Sequence, residues 1–327
     1  MPRRRAILGL SLTALACACT PSPTRAVIPS SSPPTDPAPI EVAVTVDDLP
    51  VHGPSFPGID RMAIAHTFLG AFRRHHVPRV YGFVNGKHVD DDPASEAVLR
   101  RWLDEGQLLA NHTYSHVNLK DVELPEYIAD VEKGEGILKK LEPGGATWKY
   151  FRYPYLSEGD TPEKREGARR YLRDRGYAIA EVSLSANDWA FNGPFARCSA
   201  RGDAAALATL TRTLVDVHVD ELRRTRAVCE SLAHREVPQI LLLHIGAATA
   251  AAIDDLLSAY EREGVRWIDL PTALADPFYA EDPSTREGSG GTLPTLVARA
   301  RGVPLPRPTR ADDIEEVLKH VCPEGHP

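Results

Sequence analysis

Cysteine is scarce, at five in 327 residues, far too few for a disulfide scaffold. Positive charge is not in excess either. Lys and Arg number 38 against 45 Asp and Glu, a formal net charge of −7. A mildly acidic chain has no electrostatic footprint for nucleic acid. Long apolar runs are missing apart from one near the N-terminus, which is too short to span a bilayer comfortably. No internal repeat is present. What is there is ordinary globular composition, 43% hydrophobic and 25% charged, which argues against wholesale disorder. The length supports one large domain or two ordinary ones.

The first 19 residues read as an address. Arg3, Arg4 and Arg5 precede an apolar run from Ala6 to Ala16, the layout of a signal peptide. It ends in Leu15-Ala16-Cys17-Ala18-Cys19, which resembles a bacterial lipoprotein signal with Cys17 or Cys19 as the lipidated residue. A plain secretory peptide is the alternative, and Arg4-Arg5 is a faint likeness to a twin-arginine signal. Residues 20–39 follow as a linker, with seven prolines between Pro21 and Pro39, a composition that forms a semi-extended tether rather than a core. The expected protein is therefore exported, held at the membrane of the cell envelope by a lipid anchor, and monomeric.

From Ile40 onward, short β-branched runs alternate with helical periodicity. Strands are expected at Ile40–Val46, Arg79–Val84, Gln107–Asn111, Trp148–Arg152, Tyr177–Ser183, Gln239–His244 and Val265–Ile268. Helical patterns lie between them; one opens at Thr161-Pro162, a cap followed by proline in the first turn. Seven alternations predict a parallel α/β sheet, closed as a barrel or open and doubly wound. Residues 40–276 have the length of a single β/α barrel. Residues 277–327, rich in Pro and Gly with an amphipathic stretch at Asp312–Val321, are expected to be a tail packed on the barrel's outside.

Residues with chemistry collect at the C-terminal ends of these strands, where β/α barrels build their sites. The first strand runs into Asp47-Asp48; adjacent carboxylates on a strand point to different sides and can take different roles. The third runs into Asn111-His112-Thr113-Tyr114-Ser115-His116, and histidines four apart on a helical turn can converge on one ion. Asp48 would complete a set of two imidazoles and one carboxylate with positions left open for water, the pattern of a catalytic rather than a structural site. Arg152, Asp188-Trp189 and His244 end the next three strands. Taken singly, these residues read as a surface charge, a loop cap and a core histidine. Together they point to a metal hydrolase.

These motifs, in this order, resemble the polysaccharide deacetylases of the NodB-homology type, carbohydrate esterase family 4, over about Ile40 to Asp276. The family's T-F-D-D-G is here Thr45-Val46-Asp47-Asp48-Leu49. Its H-[ST]-x-x-H is His112-Thr113-Tyr114-Ser115-His116, and its R-x-P-Y is Arg152-Tyr153-Pro154-Tyr155. Its D-x-x-D-W is Ser185-Ala186-Asn187-Asp188-Trp189, and its leucine-x-histidine is Leu242-Leu243-His244. Two departures, Leu49-Pro50 after the aspartates and Ser185 for the first aspartate of the fourth motif, bear on substrate contacts rather than on metal or proton transfer.

The resemblance implies a distorted seven-stranded β/α barrel. It implies a divalent ion on Asp48, His112 and His116, Zn²⁺ before Co²⁺ or Ni²⁺. Asp47 would be the general base, with Arg152 keeping it ionised, and His244 the general acid, kept cationic by Asp188. The Tyr155 N–H would receive the oxyanion, and Trp189 and Leu242 would line a slot for the acyl methyl. The implied reaction removes N-acetyl groups from amino sugars of a chitin-like or peptidoglycan glycan. An O-acetyl esterase, a deformylase and a non-catalytic sugar-binding lipoprotein are the alternatives. Outside the resemblance, Cys198 and Cys229 flank one insertion and could pair; free buried thiols are the other outcome.

Overall fold

The computed structural model describes residues 39–53, 60–145, 147–283, 290–307 and 311–323. The signal segment, Cys17, Cys19 and all but the end of the linker lie outside the described residues. No helix among the described residues is long and apolar enough to cross a membrane.

The strands are β1 (Ile40–Leu49), β2 (Tyr81–Val84), β3 (Leu108–Asn111), β4 (Tyr150–Phe151), β5 (Ala178–Ile179), β6 (Leu184–Ser185), β7 (Gln239–His244) and β8 (Val265–Ile268). The helices on the N-terminal side are α1 (Arg61–Arg74), α2 (Lys87–Asp91), α3 (Glu96–Asp104), α4 (Leu124–Leu141) and α5 (Pro162–Asp174). Then come α6 (Asn192–Ala200), α7 (Ala204–Ala233), α8 (Ala247–Arg262), α9 (Leu270–Leu274), α10 (Leu293–Ala300) and α11 (Ala311–His320). Thr161 caps α5 as its sequence predicts, its hydroxyl accepting from Lys164 N at 3.2 Å.

Every described pairing is parallel, and seven strands run in the order β5-β4-β3-β2-β1-β7-β6. β8 pairs off this path with the first half of β1. No pairing joins β5 to β6 among the described residues, so the expected barrel is a curled sheet left open there. The opening has a local cause: only Ala178–Ile179 of the expected strand Tyr177–Ser183 forms β5, the chain leaves the β4 side after Ala180, and β6 begins beyond it at Leu184 against β7.

Alternate residues of the strands serve two cores, as a two-residue side-chain period requires. Val42, Val44 and Val46 of β1 join Leu241 and Leu243 of β7 and the inner faces of α1, α3 and α8. On the opposite face Ala43, Tyr81, Phe83, Ala110 and Ile240 form a second cluster. That cluster is completed by Phe278, Tyr279, Leu293, Val297 and Ala298. The described part of the chain from Phe278 to Ala298 is therefore not a tail on the outside, as its composition suggested. It supplies apolar residues to the concave face of the sheet, and residues 39–327 form one compact unit. The last helix, α11, lays Ile314, Val317 and Leu318 on the first core. A disulfide between Cys198 of α6 and Cys322 holds this end, with Cα atoms 5.5 Å apart. The pairing considered from sequence, Cys198 with Cys229, is absent; Cys229 is a free, buried thiol. Sequence could not foresee the true partner because the bridge closes on a helix 124 residues away.

Candidate active site

Asp47 and His244 are register partners on β1 and β7, side by side at the same end of the sheet. Asp47 shares the concave face with Thr45, and Arg152 reaches both from the end of β4. Its Nη1 donates to Asp47 Oδ1 at 2.8 Å and to Thr45 Oγ1 at 2.7 Å, and its Nε to Ala180 O at 3.1 Å. The guanidinium lies 4.2 Å from the centroid of the Phe83 ring, so the charge is buried, paired and stacked.

The next residue breaks the alternation. Asp48 has φ 66°, and the β1–β2 register shifts between Val46 and Leu49. A bulge re-aims a side chain, and here it brings the second carboxylate round to the same site as the first. His112 Nε2 lies 3.7 Å from Asp47 Oδ2 and 3.5 Å from Asp48 Oδ1. The sequence expectation that the two carboxylates face different sides is thus overturned by a left-handed residue.

The histidine segment also differs from expectation. It is not a helical turn: after β3 the chain is irregular, with φ 64° at Thr113 and 59° at His116. Asp130 of α4 holds this loop, accepting from Tyr114 N, Ser115 N and Ser115 Oγ, each at 2.9 Å. α4 approaches closely because Gly134 has no side chain; a Cβ there would stand 2.9 Å from Asn111 Oδ1 and 3.0 Å from the Thr113 backbone. The result still matches the metal expectation. One ligand atom each from Asp48, His112 and His116 lie within 4.8 Å of one another.

This set fits a divalent ion. Asp48 Oδ1 is buried, has no hydrogen-bond partner, and lies 3.5 and 3.4 Å from the Nε2 atoms of His112 and His116. Ligands about 2.0–2.1 Å from a tetrahedral ion are about 3.3–3.4 Å apart. His112 Nδ1 is 2.8 Å from Arg152 O, which fixes the tautomer that leaves Nε2 unprotonated. Burial pushes the His116 imidazole down to about 4, with the neighbouring His112 adding to the effect. Burial works to raise Asp48, but the bond from His52 and the charges of His244, His112 and His116 hold its carboxyl well below the usual range. Both are states suited to binding a cation.

On the other side of Asp47, His244 Nδ1 lies 2.8 Å from Asp188 Oδ1, and His244 N donates to Asp188 Oδ2 at 2.8 Å. Thr249 Oγ1 donates to the same oxygen at 2.7 Å. Burial opposes the charge on His244, but Asp188 outweighs it and lifts the imidazole to about 9. Burial likewise opposes ionisation of Asp188, and His244 brings it down to about 2. A buried carboxylate holding an imidazolium is a poised proton donor.

Leu242, Trp189 and Tyr155 line a cleft of about 780 Å³ above these groups. Trp189 and Tyr155 are the large apolar side chains left most exposed, at 51% and 60%. Tyr155 sits at φ 60° with its ring 4.6 Å from that of His116. Every site residue expected from sequence is therefore in one place. Sequence reasoning missed His52, whose Nδ1 lies 2.5 Å from Asp48 Oδ2, and Asp130. It also missed residues 290–299, which wall one side of the cleft. A histidine four residues beyond an aspartate was the available signal for the first; no short-range pattern marks the other two.

The polysaccharide deacetylase family model matches residues 35–177, which takes in the first three motifs through Tyr155. A peptidoglycan-N-acetylglucosamine deacetylase of Bacillus cereus is 30% identical over 149 residues, 46% of this chain and 46% of that protein. A chitin deacetylase of Colletotrichum lindemuthianum is 29% identical over 114 residues, 34% of this chain and 43% of that one. The matches thus span less than half the length of these relatives. Among solved structures, a family 4 carbohydrate esterase from Streptomyces lividans aligns at 21% identity and a TM-score of 0.46, covering 72% of this chain and 96% of that one. Residues 35–177, with the motifs they carry, thus match the polysaccharide deacetylase family.

Proposed function

We propose that the protein is a metal-dependent hydrolase that removes N-acetyl groups from the amino sugars of a peptidoglycan-like or chitin-like glycan. The observation that carries this reading is the pairing of Asp47 with His244 on neighbouring strands, each locked to its own counter-charge, on either side of the Asp48–His112–His116 triad. A binding protein needs neither a held base nor a held acid.

Asp48, His112 and His116 would hold the ion, with Zn²⁺ the expected species for a His₂-carboxylate set. When bound, the ion supplies Lewis acidity for water and for the substrate carbonyl. Asp47 takes a proton from the attacking water, and Arg152 keeps that carboxylate ionised and oriented. The Tyr155 N–H donates to the oxygen on which charge develops. His244 gives its Nε2 proton to the departing amine, while Asp188 fixes the opposite nitrogen. An amine is a poor leaving group unless protonated, so a strongly held acid favours an amide substrate over an ester. Leu242 and Trp189 form the walls against which the acetyl methyl rests.

The N-terminal sequence supports export and a lipid anchor on Cys17 or Cys19 facing the cell envelope. The Cys198–Cys322 bridge supports an oxidising compartment. The test is acetate release from N-acetylglucosamine oligomers and peptidoglycan fragments by protein stripped with chelator and reloaded with Zn²⁺. Turnover that disappears on stripping and returns on reloading supports the reading; no acetate from the reloaded protein on any N-acetylated glycan overturns it.

A further inference from the structure

The sheet is open between β5 and β6, and the segment from Gly290 fills that opening. Leu293 N donates to Val182 O at 2.8 Å, in the stretch that separates the two strands. Gly290 passes so close to the catalytic loop that a Cβ on it would stand 2.3 Å from Tyr155 O. The segment then turns into α10, which packs on α7. Thr292, Thr295 and Arg299 thereby become one wall of the same cleft that holds Asp47 and His244.

The charges on that wall are not balanced. Arg224 of α7 also lines the cleft, but its guanidinium is occupied by both oxygens of Glu221, through Nε at 2.7 Å and through Nη2. Arg152 is occupied by Asp47. Arg301, two residues further along, is taken by Glu281 and Leu232 O. The Arg299 side chain is exposed and makes no hydrogen bond or ion pair among the described residues. Beside it Thr292 and Thr295 share a hydroxyl contact of 3.0 Å, leaving lone pairs and one hydroxyl proton toward the same wall. A neutral N-acetylglucosamine polymer gives a guanidinium nothing to pair with. A glycan with carboxylates does, in the forked geometry that arginine favours.

We infer that residues 290–299 form a glycan subsite in which Arg299, flanked by Thr292 and Thr295, binds a carboxylate on a sugar next to the one being deacetylated. The substrate is then an acidic glycan. This rests on the deacetylase reading of the same cleft and narrows its substrate class. The carboxylate has two natural sources, a lactyl ether on an amino sugar, as in peptidoglycan, or a uronic acid.

The test compares Arg299→Ala, Arg299→Glu and Arg299→Lys with the unaltered full chain, loaded with Zn²⁺. Four glycans are used: a peptidoglycan tetrasaccharide with free lactyl carboxylates, the same with those carboxylates amidated, an oligosaccharide alternating N-acetylglucosamine with glucuronic acid, and neutral N-acetylglucosamine tetramer. A partly exposed pair is worth up to about 1 kcal/mol, so KM for the acidic glycan should rise about fivefold in Arg299→Ala. It should rise further in Arg299→Glu and stay near the parent in Arg299→Lys, with kcat and the neutral tetramer unaffected. Amidation should erase the difference, and raising the ionic strength should shrink it. The acidic glycan that loses more names the source. The inference is overturned if Arg299→Glu keeps the parent's KM on both acidic glycans, or loses the neutral tetramer equally. If the parent releases no acetate from any glycan, the deacetylase reading has failed. Calorimetric titration with the free-carboxylate tetrasaccharide then still decides the subsite: weaker binding by Arg299→Glu upholds it, and equal or no binding by both overturns it.

Discussion

His52 Nδ1 lies 2.5 Å from Asp48 Oδ2, and the His52 ring stands 4.9 Å from the ring of His244. One imidazole thus touches both Asp48, the proposed metal ligand, and His244, the proposed proton donor. It comes from the loop that replaces the family's glycine turn after the aspartates, where Leu49-Pro50 is a cis peptide.

The bond to His52 fixes which oxygen of Asp48 faces His112 and His116. Removing such an outer partner typically lowers metal affinity about 10–100-fold. His52→Ala is therefore expected to need that much more Zn²⁺ for half-saturation in a competition titration against a chelator, with activity restored at high Zn²⁺. An unchanged titration curve would show that Asp48 is oriented without it.

Asp188 and His244 make a pH statement. His244 is lifted from 6.5 to about 9, so as the general acid it should lose its proton, and the enzyme its rate, as pH rises through about 9. Asp188→Asn removes the anion that sustains this, and the alkaline limb of kcat should move to lower pH, with rate lost at neutrality. Stability follows the same linkage. A raised histidine stabilises the fold fully below about 6.5 and ceases to as pH passes about 9. A carboxylate lowered from 3.8 to about 2 stabilises above 3.8, and the gain is lost as pH falls through about 2. Melting temperature measured from pH 6 to 10 should fall in the parent and be flatter in Asp188→Asn. An alkaline limb that stays put in the variant would remove His244 from the acid's role.

The bridge between Cys198 and Cys322 spans 124 residues and ties the end of the chain to α6. Loss of a native disulfide typically costs about 2–5 kcal/mol. Cys322→Ser should lower the melting temperature by several degrees, and Cys229→Ser should leave the crosslink intact. Non-reducing peptide mapping checks the pairing directly; a 198–229 peptide would contradict the fold at α11.

The parts of this architecture visible in sequence were those carried by local repetition. β1 and β7 are rich in β-branched and leucine residues; β7 ends where its pattern stops, while β1 continues three residues past Val46, through the two aspartates to Leu49. The five motifs brought all ten expected site residues together because each sits at a strand's C-terminal end or within five residues of it, and parallel strands put those ends on one side of the sheet. What was not visible depends on distant partners or on backbone twist. The left-handed Asp48 turns a side chain that alternation sends elsewhere. The loop of His112 to His116 takes its shape from Asp130, on the following helix. The Pro- and Gly-rich end of the chain had the composition of a tail, yet it carries Leu293 and Val297 to the concave face beside β5 and β6, which are not paired with each other.

The two adjacent aspartates give the sharpest separation. Asp47 is bound to Arg152 and has the geometry of a base; Asp48 has a buried, unpartnered oxygen between two imidazoles and the geometry of a ligand. Asp47→Asn keeps the shape but cannot accept a proton, and it also leaves the buried Arg152 without its counter-charge. Turnover should drop about 10²–10⁴-fold, the usual weight of a general base, with one equivalent of Zn²⁺ still bound. Asp48→Asn replaces an anionic ligand by a neutral one. Its metal affinity should fall, and excess Zn²⁺ should restore part of the rate. Titrating both variants with Zn²⁺ while following bound metal and acetate together distinguishes these failures. Rescue of Asp47→Asn by metal would exchange the two roles, and full activity of both without added metal would leave the carboxylates with no part in the chemistry.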